Sequence, residues 1–391
     1  MEEGWSSVGE KYVCPNCFDD YAVKDFIESH ATECKCSYCE NTSEEPIAAE
    51  IDEVLSFISE GLHREYEDPA NSVGYCSAEG GYDIEPDSSY ELFVELGFGD
   101  GPQTLFDDLV SAFSDCQWVH IDPYGLPEDE ALGYSWDAFS EQVKHSARFV
   151  FFKVATSTDE YSEPEPYTIL ENIGKIVTRL ALFEIIETGT VIVRARQHES
   201  TKSPNNAADL GAPPKVSASQ SRMSPAGIPM FYGAENEAVA FAEIFSNDPT
   251  KSCMTFGNFS TLRPLTVLDL TAIPDVPSLF DPDGAHARAA LSFMHSFEAS
   301  ATGPVPHDES QHYLYVPTQV VAEYFRHVFT FPSGRKIDGI VFNSSNVPNG
   351  KCYTLFLDNT QCTDSATASD KTLLLSNFRL ATIDFPNQTD A

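Results

Sequence analysis

The chain has 391 residues, an apolar fraction of 42% and a formal charge of −38, from 61 acidic against 23 basic residues. That length accommodates two domains with a core each, and that charge excludes nucleic acid and anionic membrane surfaces as partners, because binding either requires compensating Lys and Arg. No apolar run is long enough to cross a bilayer, and the opening Met1-Glu2-Glu3-Gly4-Trp5 lacks the pattern of an export signal, so a soluble cytoplasmic protein is expected.

Five of the ten cysteines fall within residues 14–39. Cys14-Pro15-Asn16-Cys17 and Cys36-Ser37-Tyr38-Cys39 are two C-x-x-C knuckles separated by eighteen residues, a spacing that lets four thiolates converge on one tetrahedral Zn²⁺. Four sulfurs leave no open coordination position, so the expected zinc is structural. Cys34 is a rival ligand or a bystander.

Spaced apolar residues predict helices over 18–31, 47–63 and 135–145, separated by acidic loops. The stretch STDEYSEPEP at 157–166 has linker composition and leads into a predicted helix at 167–186. A boundary near residue 160 therefore divides the chain into 1–160, mostly helical, and 161–391. In the latter, β-rich runs at 190–193, 266–270, 313–316 and 339–342 mix with helices at 235–245 and 318–329. The fold class is α+β. Residues 200–224 are rich in Ser, Asn, Pro and Ala and long for an internal loop, which suits a lid over a pocket, and 363–370 reads as a surface loop. The chain has no G-x-G-x-x-G, so a Rossmann turn and dehydrogenase chemistry are not expected.

Five stretches carry a resemblance: VIVRARQ at 191–197, RMSPAGIPMFYGAENEAVAFAE at 222–243, YLYVPTQVVAEYFR at 313–326, DGIVFNSS at 338–345 and CYTLFLD at 352–358. In this order they resemble a RES domain, over about residues 165–385. The resemblance implies a sheet core like that of ADP-ribosyltransferase toxins. It also implies a toxin or defence effector that takes NAD⁺ as substrate and breaks the nicotinamide–ribose bond, as a glycohydrolase or phosphorylase. Transfer of ADP-ribose to a protein target is the alternative, and a catalytically inert, zinc-stabilised interaction module is a third reading. The acceptor of the ADP-ribosyl group, a homo-oligomeric state and an antitoxin or regulatory partner stay open.

Position by position, the resemblance places the family's first Arg on Arg194, with Arg196 as a competitor two residues on and on the same strand face. Its second Arg falls on Arg222, its Tyr on Tyr232, its Glu on Glu243 and its Ser on Ser344, with Ser345 adjacent. The chemistry suits these residue types. Breaking the N-glycosidic bond builds positive charge on the ribose, which a carboxylate such as Glu243 stabilises in the transition state. A pyrophosphate entering an acidic protein needs the forked donors of Arg194 and Arg222. The flat cationic nicotinamide suits the aromatic face of Tyr232, and the Ser344 hydroxyl is placed to orient its amide or the ribose. Taken singly, Glu243 fits a solvated helix face, Tyr232 a core, Arg194 a surface ion pair and Ser344 a turn. Only the joint pattern points to catalysis. Gln319 and Glu323 are expected to hold a helix against the sheet, with Glu323 also a secondary site candidate.

The opening YVCPNCFDDYAVKDFIESHATECKCSYC resembles the helical HEPN-like region that precedes some RES domains. HEPN ribonucleases carry an Arg and a His four to six residues apart, and no Arg in residues 1–160 is followed by His at that spacing. Ribonuclease activity is therefore not expected there, and restraint of the following domain or sensing of a trigger is.

Overall fold

The computed structural model describes residues 4–78, 80–153, 168–306, 310–368 and 370–383. The chain divides into two units. One is Met1–Glu130 with Asp275–Ser292; the other is Ala131–Pro274 with Phe293–Ala391. The linker expected at 157–166 lies outside the described residues.

In the first unit, Asp20 starts helix α1 (Tyr21–Ser29) by accepting the otherwise unpaired N–H groups of Ala22 and Val23. Helix α2 (Ile51–Leu62) buries Ile51, Val54, Leu55, Ile58 and Leu62, an apolar stripe at helical spacing. Ser88 and Glu91 close a capping box on α3 (Ser89–Glu95), and α4 (Gln103–Ala112) follows. Both helices expected within residues 18–63 are present with shorter ends.

The core of this unit includes two side chains from far along the sequence, Leu279 and Phe280. Phe280 stacks on Phe98 with ring centroids 5.5 Å apart. Gly61 makes room for it, since a β-carbon there stands 2.3 Å from the Phe280 ring. Arg64 donates to the Leu279 carbonyl at 2.8 Å, Tyr21 to Asp281 at 2.8 Å, and Arg288 pairs with Glu65 at 2.8 Å. The segment Asp275–Ser292 thus completes a core that residues 4–130 begin.

The second unit is built on one sheet. Among the described residues its nine strands are β1 (Phe183–Ile186), β2 (Val191–His198), β3 (Phe231–Ala234), β4 (Cys253–Thr261), β5 (Leu265–Asp269), β6 (Gly339–Asn343), β7 (Lys351–Leu355), β8 (Cys362–Thr363) and β9 (Leu373–Thr382). Their order is β8-β9-β4-β2-β3-β7-β6-β5-β1. Neighbours run antiparallel except β5 with β6 and β8 with β9. Ile192, Phe231, Phe259, Val267, Val341 and Leu355 belong to its buried core. Its longer helices, among the described residues, are α5 (Glu128–Glu141), α6 (Thr168–Arg179), α7 (Glu237–Ile244), α8 (Arg288–Thr302) and α9 (Val316–Glu323); α5 begins, and α8 has its first residues, in the segments assigned to the first unit.

Three sequence expectations change. The helix predicted to 186 ends at Arg179, because Ala181 adopts a left-handed φ of 52° and the chain enters β1. The run 313–316 is not a strand: a short helix covers Gln311–Leu314 and α9 begins at Val316, with Pro317 in its first turn. A short run of aromatic and apolar residues does not distinguish a strand from a buried helical turn by period alone. Finally, β4 and β9 pair from Cys253 with Thr382 to Thr261 with Leu373, two long strands that the sequence did not single out. No helix of the described residues is long and apolar enough to cross a membrane.

Candidate functional site

In the first unit, Cys14, Cys17, Cys36 and Cys39 bring their sulfurs within 4.8 Å of one another. The close pairs stand 3.5 Å (Cys14 and Cys39), 3.6 Å (Cys17 and Cys36) and 3.8 Å (Cys14 and Cys17) apart. Sulfurs bound at about 2.3 Å to a tetrahedral zinc lie roughly 3.8 Å from each other, so this donor set fits that ion. The Tyr38 N–H and the Asn41 amide point at Cys36 and Cys14 sulfurs, contacts that stabilise thiolates. Cys34 is exposed and donates to the Glu44 carbonyl, away from the cluster.

The second unit contains a cleft of about 530 Å³ whose lining includes Arg194, Arg222, Tyr232, Glu243, Ser345 and Asn346. These residues come from β2, the turn at 221–224, β3, α7 and the loop after β6. Gly233 lets the strands close up here: a β-carbon on it meets Ile192 at 2.4 Å and the Val193 carbonyl at 3.1 Å.

Arg194 projects from β2 and donates to the Tyr232 carbonyl at 2.5 Å, while its Nε is buried with no hydrogen-bond partner among the described residues. Its guanidinium lies 5.3 Å over the Phe231 ring. Burial, then the nearby charge of Arg196, pushes its pKa down to about 9. An anion in the cleft relieves both costs. Arg196, on the same strand face, donates to the Gly211 carbonyl at 3.0 Å and does not line the cleft. Burial lowers its pKa as well.

Arg222 is held from two sides. Its guanidinium donates to the Ala301 carbonyl at 3.0 Å and lies 5.3 Å over the Tyr315 ring, and burial lowers its pKa. Its own carbonyl accepts from Thr318 at 2.7 Å, and Gln319 donates to the Ser221 and Ser224 carbonyls at 2.8 and 3.3 Å. Gln319, expected to brace a helix against the sheet, instead fastens the turn that carries Arg222. Among the described residues, Arg194, Arg196 and Arg222 form no salt bridge with a carboxylate.

The Tyr232 hydroxyl accepts from the Met223 N–H at 3.2 Å and donates to Ser224 at 3.0 Å. Burial pushes its pKa up to about 12, so the phenol is neutral across the physiological range. The same turn therefore orients both Arg222 and Tyr232.

Asn236 caps α7 by accepting from the Val239 N–H, and Glu243 falls in the last turn of that helix. A carboxylate at a helix C-terminus faces the negative end of the helix dipole and needs compensating donors. Ser344 donates to Glu243 Oε1 at 2.5 Å and Asn346 Nδ2 donates to the same oxygen at 3.1 Å. Ser344 thus stands behind the carboxylate, while Ser345 lines the cleft. Cys352, on β7, also lines it, and burial followed by the charge of Glu243 pushes its thiol pKa up to about 12. The sequence reading missed Tyr315, Thr318 and Asn346; the only signal was that Tyr315 and Thr318 belong to the stretch 313–326 and that Asn346 directly follows the stretch 338–345.

Of the loop at 200–224, the part at 219–222 lines the cleft. Its first half is tied down instead: Ala207 N–H donates to Asp364 at 2.8 Å, and Asn359 donates to the Ala208 and Ala212 carbonyls at 3.1 and 2.8 Å.

Comparison with known families gives two consecutive matches. Residues 29–157 match the HEPN/RES N-terminal domain 1, and residues 191–376 match the RES domain, a domain generally linked to NAD-related toxin activity. No curated protein and no solved structure matches the chain.

Proposed function

We propose that the cleft binds NAD⁺ and breaks its nicotinamide–ribose bond. The observation that carries this reading is the convergence of Arg194, Arg222, Tyr232 and Glu243 on one cleft of about 530 Å³, within the size range of small-molecule sites. The two arginines face the pyrophosphate, whose charge offsets their burial in an otherwise repelling protein. Tyr232 receives the nicotinamide ring. Glu243 lies against the ribose.

In the reaction the bond between ribose C1′ and the nicotinamide nitrogen breaks and its electron pair leaves with nicotinamide, which departs neutral. The positive charge left on the ribose is stabilised by the Glu243 carboxylate. Water then adds to C1′ and loses a proton, giving ADP-ribose; inorganic phosphate in place of water gives the 1′-phosphate of ADP-ribose. The sheet serves as a core of the ADP-ribosyltransferase type, with residues 161–391 as the catalytic domain of a toxin or defence effector. Residues 1–160, with zinc held by Cys14, Cys17, Cys36 and Cys39, restrain it or sense a trigger.

The test is incubation of the full chain with NAD⁺, in the presence and absence of phosphate, with every product identified. Free nicotinamide with ADP-ribose or its phosphate supports the reading. ADP-ribose found on protein instead redirects it to transferase activity, and unchanged NAD⁺ rejects it.

A further inference from the structure

The donors around Glu243 are arranged to fix one of its two oxygens. Ser344 Oγ accepts the N–H groups of Asn346 at 3.1 Å and Val347 at 3.0 Å. A hydroxyl has one proton, and with its lone pairs engaged by the backbone that proton is committed to Glu243 Oε1 at 2.5 Å. The Asn346 amide donates to the same Oε1 at 3.1 Å. Among the described residues, no hydrogen bond engages Oε2. Asn346 is exposed and lines the cleft, so its amide is not needed to fill a core.

Resting on the reading of Glu243 given above, we propose that Asn346 is a positioning residue for the bond-breaking step. Together with Ser344 it clamps Oε1 and leaves Oε2 as the oxygen presented to the ribosyl cation. Two donors to one oxygen fix the carboxylate plane, so that the other oxygen is held in one direction. This arrangement also offsets the position of Glu243 at the negative end of α7. The other titratable groups whose charges act on Glu243 are Arg222, from the 221–224 turn, and Cys352, from β7. Burial keeps the Cys352 thiol neutral at physiological pH.

The experiment compares the full-length wild type with Asn346→Ala, Asn346→Asp and Glu243→Gln, following nicotinamide release against NAD⁺ concentration. Asn346→Ala is expected to lower kcat about ten- to a hundredfold with KM within about twofold. Asn346→Asp, which loses the donor and sets a second carboxylate against Glu243, is expected to lower kcat further with KM again little changed. A merely structural role for Asn346 does not separate kcat from KM in this way. Wild-type kcat in both variants, or a KM that rises as kcat falls, with Glu243→Gln inactive, overturns the inference alone. An inactive wild type, or undiminished release from Glu243→Gln, overturns the reading of the site and the inference with it.

Discussion

Arg222 holds its guanidinium 5.3 Å over the ring of Tyr315, and no carboxylate among the described residues forms a salt bridge with it. The stacking and the bond to the Ala301 carbonyl fix a planar fork, which an ammonium cannot copy. Arg222→Lys is therefore expected to raise KM for NAD⁺ about tenfold or more while leaving the fold intact. Steady-state kinetics beside a thermal melt check this; an unchanged KM removes Arg222 from substrate binding.

Tyr232 yields a prediction about pH. Its pKa near 12 exceeds the roughly 10 of an unfolded tyrosine, so the folded state holds the proton more tightly. Its contribution to stability is full below about pH 10 and is lost as pH rises towards 12. Tyr232→Phe should lower stability at neutral pH by about 1 kcal/mol, since the Met223 N–H loses its partner. It should also flatten the decline between pH 10 and 12, as followed by denaturant unfolding at several pH values. A decline equally steep in the variant assigns it to other groups.

The four sulfurs of Cys14, Cys17, Cys36 and Cys39 make metal content predictable. The purified chain should carry about one zinc, Cys17→Ser should lose it and Cys34→Ser should keep it, measured by elemental analysis. Chelation should unfold the region around α1. Equal zinc in all three proteins contradicts the assignment.

Phe280 belongs to the later segment yet is 2% exposed within the core of the first unit. Phe280→Ala should destabilise that unit by about 3–5 kcal/mol, read as an early transition in urea. A loss below about 1 kcal/mol contradicts this packing.

How much of this was legible in the sequence depends on how local each feature is. The C-x-x-C pairs declare themselves because the two cysteines of each stand only three residues apart, and α7 because Asn236 and its apolar run are contiguous. Arg194, Arg222, Tyr232, Glu243 and Ser344 emerged from a resemblance, and their individual surroundings gave no reason to select them. What the sequence hid is contact across distance. Asn346 meets Glu243 103 residues away, and Gln319 meets Ser221 98 residues away. The pairing of β4 with β9 likewise joins strands separated by more than a hundred residues, with polar Asn258 and Asn377 facing each other at 2.7 Å and masking the strand pattern. Phe280 reads with Leu279 as a short apolar pair in a stretch of prolines and aspartates, and its burial comes from contacts such as Gly61 and Phe98.

The most direct test of the central claim is the initial rate of nicotinamide release from NAD⁺ by the purified wild type and by Glu243→Gln, measured side by side. Glu243→Gln keeps the size of the side chain and removes the charge that stabilises the ribosyl cation. The expected result is release by the wild type and a loss of at least about a hundredfold in the variant, with its melting temperature little changed. Equal rates, or no release by the wild type with or without phosphate, contradict the account.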